Sequence, residues 1–174
     1  MGPGHFAIAL VAKPIAPKAP LWVLLAASEA LDLLCFGFVA AGIEHTGERQ
    51  VGIAQGIRIV TQGSIPWSHG LFMSLVWSVA AAAVGYWVFR DRRTSVVLGL
   101  VVFSHWVLDF IVHLPDLPLL FDASPKVGLG LWGTGPGLIL SGVLEVLMLA
   151  GGIIIYIKWR RKKQITPHAS SSPR

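Results

Sequence analysis

The sequence predicts an all-α membrane protein, a polytopic bundle of four spanning helices preceded by a short N-terminal half-helix. Of its 174 residues, 54% are hydrophobic and 13% are charged, and the mean hydropathy is +0.68. Four apolar runs each reach about 20 residues, the length that an α-helix needs to cross a bilayer. We therefore expect one transmembrane domain over residues 1–157 and a basic tail over 158–174 that is disordered at its end.

The elements can be assigned in chain order. Residues 1–12 are apolar but too short to span a bilayer, and the prolines of 13–20 end them in a turn. The four predicted spans are 21–43, 69–89, 95–114 and 137–157. The connection 44–68 fits either a short strand pair or an interfacial segment. Residues 115–136 form a loop that is rich in proline and glycine.

Lysine and arginine are divided unevenly between the two sides of this bundle. Ten lie on the side of the termini: Lys13, Lys18, Arg90, Arg92, Arg93, Lys158, Arg160, Arg161, Lys162 and Lys163. Three lie on the opposite side: Arg49, Arg58 and Lys126. Because positive residues favour the cytoplasmic side, we expect an inner-membrane protein with both termini in the cytoplasm.

The net charge of +5 does not indicate a nucleic-acid partner. The basic residues cluster beside the predicted spans, where orientation and contacts of the tail with anionic headgroups account for them. The lipid bilayer is thus the expected partner. The single cysteine, Cys35, lies in an apolar run, which excludes a disulfide within the chain and favours a core or lipid-facing position.

Ionisable side chains inside the predicted spans are the main functional signal. His105, Asp109 and His113 follow one another at intervals of four residues, so they share one helix face. His105 and Asp109 form the central pair, and His113, about 12 Å from His105 along the axis, is an outer or second-site group. A charge at the centre of a span costs about 2.5–3.5 kcal/mol on insertion scales, so these groups should converge rather than face lipid.

Further polar residues are expected to join this pair. Asp32 lies in the first span, and Glu29 shares its face three residues earlier. His69 opens the second span, and Glu145 lies in the fourth. The turn at 13–20 allows the half-helix to fold back and bring His5 to the cluster, although the half-helix could instead lie on the membrane surface. Glu29 fits a catalytic or a supporting role, and Glu145 a base, a ligand or a structural partner.

Several motifs resemble those of the bacterial membrane-bound metal-dependent hydrolases. The similarity rests on Gly-His5 at the start, Ser-Glu29-Ala-Leu-Asp32, Pro-Trp-Ser-His69-Gly and Phe-Ser-His105-Trp-Val-Leu-Asp109. It covers the chain from its start to the end of the third predicted span. The chain departs from the family pattern in two places. Its acidic pair, Glu29 and Asp32, is spaced more widely, and the His69 motif lacks the preceding histidine and arginine.

The resemblance and the residue types together predict a metal site. The expected ligands are His5, Asp32, His69, His105 and Asp109, with Glu29 and Glu145 as candidate catalytic carboxylates. Imidazoles and carboxylates without thiolates favour zinc, with manganese as the harder alternative. We expect hydrolysis of an ester or phosphoester carried by a lipid-like substrate. A cation or proton transporter and a non-catalytic membrane scaffold are the alternative functions.

Overall fold

The computed structural model describes residues 2–51 and 57–165, and the helical prediction is confirmed there. The helices are α1 (Gly4–Ile15), α2 (Leu21–Ser28), α3 (Ala30–Ala40), α4 (Pro66–His69), α5 (Leu71–Phe89), α6 (Arg92–Val112) and α7 (Gly135–Ile165), with a 3-10 turn at Leu131–Gly133. The strands are β1 (His45–Val51), β2 (Ile57–Ser64), β3 (Leu117–Pro118) and β4 (Lys126–Val127). They form two small antiparallel pairs, β1 with β2 and β3 with β4.

The membrane-spanning elements agree with the sequence in all but one case. Helices α5, α6 and α7 are long and apolar enough to cross a membrane, and α2 with α3 adds a fourth span if the pair crosses as one. The predicted span 21–43 is not one continuous helix, because it breaks at Glu29. The axis of its second half is bent by 58° from that of the first. The backbone of Glu29 leaves the helical region at φ −103° and ψ 8°.

Helix α6 is the centre of the bundle. It packs against α1, α2, α3 and α5. Its buried apolar side chains contribute to three core clusters: Leu98 and Val101 in the first, Val102 and Trp106 in the second, and Leu108 and Val112 in the third. Side chains on α6 therefore face neighbours on several sides, which positions them to meet residues from other helices.

Helix α1 is held close to α7 by small residues. A Cβ added to Gly152 on α7 would lie 2.9 Å from the carbonyl oxygen of Ala7, which is too close for any other residue. Close backbone approach of this kind is how membrane helices gain packing energy without a solvent-driven hydrophobic effect. The half-helix thus folds back into the bundle as predicted, with His5 buried.

The connections differ in detail from the expected loops. The 44–68 segment contains the β1–β2 pair, the first of the two predicted alternatives, and then the short helix α4. Helix α7 continues through the basic residues to Ile165, beyond the predicted end of the span at 157. Lysine and arginine are good helix formers and suit a helix C-terminus, which explains the extension. The predicted disorder at the end of the tail lies outside the described residues.

Candidate metal centre

The five side chains predicted as metal ligands are brought together at one end of α6. His5 comes from α1, Asp32 from α3, His69 from the last position of α4, and His105 and Asp109 from α6. Four of them are buried to 2% exposure or less, whereas the Asp32 side chain is 42% exposed. The cluster is therefore enclosed by protein on most sides and open beside Asp32.

Four ligand atoms form a closed ring in which imidazole nitrogens and carboxylate oxygens alternate. Asp32 Oδ1 lies 3.2 Å from His69 Nε2 and 3.5 Å from His105 Nε2. Asp109 Oδ2 lies 3.5 Å from His69 Nε2 and 3.3 Å from His105 Nε2. We call these four atoms, from Asp32, His69, His105 and Asp109, the ligand ring.

The four separations in the ligand ring, 3.2–3.5 Å, match neighbouring metal ligands better than charged hydrogen bonds. Four donors bound tetrahedrally at 2.0–2.1 Å lie about 3.3 Å from one another. Hydrogen bonds between a charged donor and a carboxylate are shorter, about 2.7–2.9 Å between heavy atoms. Among the described residues, the Nε2 atoms of His5, His69 and His105 are buried without a hydrogen-bond partner. Buried polar atoms without partners are rare and call for an explanation such as a bound ion.

The tautomer of His105 is set by the break in the first span. His105 Nδ1 lies 2.7 Å from the carbonyl oxygen of Ser28, the last residue of α2. A carbonyl can only accept, so Nδ1 carries the proton and donates it to Ser28. In the neutral ring, Nε2 is then left with a free lone pair directed into the ligand ring. Histidines that bind metals are oriented in this way through their second nitrogen.

The tautomer of His69 is set by a chain that begins at Glu44. The buried Glu44 carboxylate accepts hydrogen bonds from the backbone N–H groups of Trp67 and Ser68, both at 2.8 Å, and from Ser68 Oγ at 2.7 Å. Since the Ser68 hydroxyl proton is used in that bond, Ser68 Oγ accepts from His69 Nδ1, 2.9 Å away. His69 therefore also presents an unprotonated Nε2 to the ligand ring.

Neither Glu44 nor Ser68 was predicted to support the site. Glu44 begins a polar connection in the sequence, and nothing local marks it as different from other loop carboxylates. Its role depends on contact with residues more than 20 positions later. The serine beside His69 was the available signal, because a hydroxyl next to a ligating histidine can bond to the second ring nitrogen.

His5 lies beside the ligand ring rather than within it. Its Nε2 is 3.4 Å from Asp109 Oδ1, the oxygen that does not belong to the ring, and its imidazole stacks on His105 with ring centroids 3.8 Å apart. The residues that could hold a metal ion form two overlapping groups, His5 with His105 and Asp109, and Asp32 with His69 and His105.

His113 extends the cluster along α6. It is buried, with Nε2 3.9 Å from Asp109 Oδ1 and Nδ1 3.5 Å from Asp116 Oδ1. Its ring also packs against Trp132, with centroids 4.7 Å apart. The sequence placed His113 outside the central pair, and the structure shows it in contact with the same carboxylate.

The two candidate catalytic carboxylates lie in different places. Glu29, at the break between α2 and α3, interacts electrostatically with His105 and Asp32, and its Oε1 is buried without a hydrogen-bond partner among the described residues. Glu145 on α7 lies beside the N-terminal turn, with its Oε2 3.4 Å from the position that a Cβ on Gly2 would occupy. Glu29 is thus near enough to interact electrostatically with residues of the ligand ring, whereas Glu145 contacts the N-terminal turn.

No family model, curated protein or solved structure matches the chain. Buried histidine and aspartate groups that could hold a metal ion lie inside a bundle of helices that are long and apolar enough to cross a membrane.

Proposed function

We propose that the chain is a membrane-embedded metal-dependent hydrolase acting on an ester or phosphoester of a lipid-like substrate. The ligand ring carries the proposal, because both imidazoles present a lone pair whose orientation is set by hydrogen bonds on the other side of the ring. The motif resemblance to bacterial membrane-bound metal-dependent hydrolases supports the same conclusion.

The donor set favours a divalent cation with a preference for nitrogen and oxygen. Two imidazoles and two carboxylates without a thiolate suit zinc, with manganese as the alternative. A cation bound there would supply Lewis-acid chemistry, lowering the pKa of a bound water and polarising a phosphoryl or acyl oxygen. The residues Asp32, His69, His105 and Asp109 would hold it.

We assign proton transfer to Glu29. Its Oε1 is buried and has no hydrogen-bond partner among the described residues, so it is available to a water molecule beside the ligand ring. Glu29 would take a proton from water as that water attacks the substrate, and would return it to the leaving alcohol as the ester bond breaks. Glu145, which contacts the N-terminal turn, is the weaker of the two catalytic candidates.

The open side of the cluster supports a lipid-like substrate. Asp32 is the exposed member of the ligand ring, and the neighbouring side chains Leu33 and Phe36 on α3 are 58% and 72% exposed. A substrate that reached Asp32 would meet an apolar surface around a polar centre. An acyl chain would contact the apolar residues while its ester group entered the cluster.

We also propose that this end of the bundle faces away from the cytoplasm, in the inner membrane, because of the lysine and arginine distribution. Gly2 lies beside Glu145 and His5 beside Asp109, so the N-terminal turn lies at the end with the metal site. The cytoplasmic position expected for both termini then applies to the C-terminus and not to the N-terminus.

Cysteines placed at Ser124 and at Ser170 test the orientation in the Cys35→Ser background. We expect a membrane-impermeant maleimide to label Ser124→Cys, and not Ser170→Cys, in intact cells. Labelling of Ser170→Cys from outside would reverse the proposed topology.

The break at Glu29 favours one second candidate, a divalent-cation or proton transporter. Transporters commonly bind their ions where a spanning helix is interrupted, and the ligand ring lies next to such an interruption. Uptake of ⁵⁴Mn²⁺ or ⁶⁵Zn²⁺, or of protons, into proteoliposomes separates this function from hydrolysis. A scaffold would show neither bound metal nor flux.

The hydrolase proposal is tested by metal content and turnover measured on the same preparations. Wild-type protein purified without chelator should contain at least one equivalent of divalent metal and should hydrolyse p-nitrophenyl decanoate or bis(p-nitrophenyl) phosphate in detergent. His105→Ala should lose both, whereas His45→Ala, which alters an exposed histidine on β1, should lose neither. Equal hydrolysis by wild type and His105→Ala would contradict the proposal.

A further inference from the structure

A second set of donor atoms surrounds the other oxygen of Asp109. His5 Nε2 lies 3.4 Å and His113 Nε2 lies 3.9 Å from Asp109 Oδ1. Neighbouring ligands of a six-coordinate ion with bonds of 2.1 Å lie about 3.0 Å apart, and opposite ligands about 4.2 Å apart. The separation of 3.4 Å is nearer to the neighbouring-ligand value, and that of 3.9 Å is nearer to the opposite-ligand value. The arrangement is thus compatible with donors that share one cation.

His5 is difficult to explain without such a cation. Its side chain is 1% exposed, and neither ring nitrogen has a hydrogen-bond partner among the described residues. Buried polar groups without a partner are unfavourable and rare in folded proteins. His5 lies in the first turn of α1, and its Nε2 is 3.4 Å from Asp109 Oδ1, a separation that fits two ligands of one cation as well as a long ion pair.

Asp116 lies next to this second set of donors, on the far side of the His113 ring from Asp109. Both of its carboxylate oxygens are buried without a hydrogen-bond partner among the described residues, and Oδ1 lies 3.5 Å from His113 Nδ1. A carboxylate facing one nitrogen of an imidazole orients the ring and makes the other nitrogen a better ligand. Asp116 is therefore placed to direct His113 Nε2 toward Asp109.

A single cation cannot use all of these donors. His105 has only Nε2 to offer, since its Nδ1 donates to Ser28. Among the described residues, one group that could hold a metal ion is His5, His105 and Asp109 and the other is Asp32, His69 and His105, so His105 is common to both and His113 is in neither. His105 can therefore serve one ion, and His5 and His113 lie around the Asp109 oxygen that is not in the ligand ring.

We propose that Asp109 bridges two divalent cations. One lies in the ligand ring on Oδ2, and the second is held on Oδ1 by His5 and His113, with Asp116 as a positioning residue. This inference rests on the proposed function, because the first cation is the one in the ligand ring. Two-metal sites with ions about 3.5–4 Å apart stabilise both the attacking and the leaving oxygen of phosphoryl transfer. Because phosphatases, polymerases and nucleases use such pairs, a second cation favours a phosphoester as the substrate class.

The number of bound ions tests the inference without measuring activity. Full-length protein in detergent is stripped with chelator, reloaded with Mn²⁺, freed of excess ion and measured by elemental analysis and electron paramagnetic resonance. We expect two equivalents and a spin-coupled signal in wild type and in the His45→Ala control. His113→Ala and His5→Ala should each keep one equivalent and give an uncoupled six-line signal.

Asp116→Asn provides a variant of nearly the same shape. It should keep the first ion with unchanged affinity and raise the Kd for the second about 10–100-fold, as expected for loss of a carboxylate that orients a ligating histidine. The ion retained in the ligand ring reports that each variant is folded.

The possible failures are distinguishable. One equivalent in wild type, with no loss in His113→Ala, would overturn the bridged pair and leave the proposed hydrolase with a single ion. No bound ion in wild type would overturn both proposals. Two equivalents in wild type that persist in both His5→Ala and His113→Ala would place the second ion elsewhere and overturn the assignment made here.

Discussion

Two polar clusters at opposite ends of α6 contrast in how their carboxylates are satisfied. Asp91 precedes the first residue of α6 and accepts hydrogen bonds from Lys18 Nζ at 2.8 Å, Thr94 N at 2.9 Å and Thr94 Oγ1 at 2.7 Å. At the other end, Asp109 lies 3.3–3.5 Å from three histidine nitrogens that have no hydrogen-bond partner among the described residues. The first cluster is complete as a set of protein hydrogen bonds, whereas the second has the spacing of groups that share a cation.

The largest change in metal binding and hydrolysis is expected for a double substitution that removes a histidine and a carboxylate from the second cluster. His105→Leu combined with Asp109→Leu should abolish metal binding and hydrolysis, while the protein still inserts because its apolar faces are unchanged. In the wild type, a chelator should lower the thermal stability, since an ion at 100 times its Kd contributes about 2.7 kcal/mol.

The double variant separates metal binding from simple pairing. Its thermal stability should not respond to chelator and should equal or exceed that of the stripped wild type, because apolar residues often replace buried ion pairs without loss. Lys18→Met with Asp91→Leu is the matched control at the other end of α6, and its metal content should equal that of the wild type. A double leucine variant more stable than the metal-loaded wild type would favour pairing alone.

A smaller effect is expected from the chain that orients His69. Ser68→Ala removes the oxygen that accepts from His69 Nδ1, and Glu44→Gln weakens the acceptor behind it. Each should raise the Kd of the ring metal about 10–100-fold while leaving the bound stoichiometry at saturation unchanged. Isothermal titration of stripped protein with Zn²⁺ measures the change.

Conservative and unrelated serine variants sharpen that measurement. Ser68→Thr keeps the hydroxyl and should restore most of the affinity. Ser78→Ala also removes a buried hydroxyl, but one that donates to the Ser74 carbonyl within α5, so it should change thermal stability without changing the Kd. Equal affinity in Ser68→Ala and wild type would show that the hydrogen bond to His69 does not position the ligand.

The smallest effect is expected at Asp91. The Lys18 ammonium, together with the Thr94 donors, holds the pKa of Asp91 below its ordinary value. Because the folded-state pKa is the lower one, the stabilisation is present above the unfolded-state pKa and is lost as the pH falls through the folded-state pKa. Asp91→Asn should lower the thermal stability slightly at pH 7 and flatten its acid dependence, with no change in bound metal. Thermal denaturation between pH 7 and pH 3 is the measurement, and an altered metal content would contradict the separation of the two clusters.

The sequence was most informative where a local pattern determines geometry. The spacing of four residues between His105, Asp109 and His113 requires a common helix face, and the two histidines lie 3.3 Å and 3.9 Å from the Asp109 carboxylate. The prolines after α1 allowed the half-helix to fold back with His5, and the structure shows this arrangement. Long apolar runs predicted α5, α6 and α7, because helix length and hydropathy are local properties.

The sequence was least informative where distant contacts determine local structure. The break at Glu29 has no proline or glycine to announce it, and hydropathy reads 21–43 as one span. The carbonyl of Ser28 at that break bonds to His105, 77 residues away. Glu44 was missed for the same reason, since its three donors come from the start of α4. In both places the structure depends on a hydrogen bond between residues far apart in the sequence, which no local pattern reveals.

X-ray absorption at the metal edge of the purified wild-type protein tests the central claim most directly. We predict a divalent metal with only nitrogen and oxygen neighbours at about 2.0–2.2 Å and outer-shell scattering from imidazole rings, with the signal lost in His105→Ala. A protein without bound metal, or a metal whose nearest neighbours include sulfur from Cys35, would contradict the ligand ring as a metal centre.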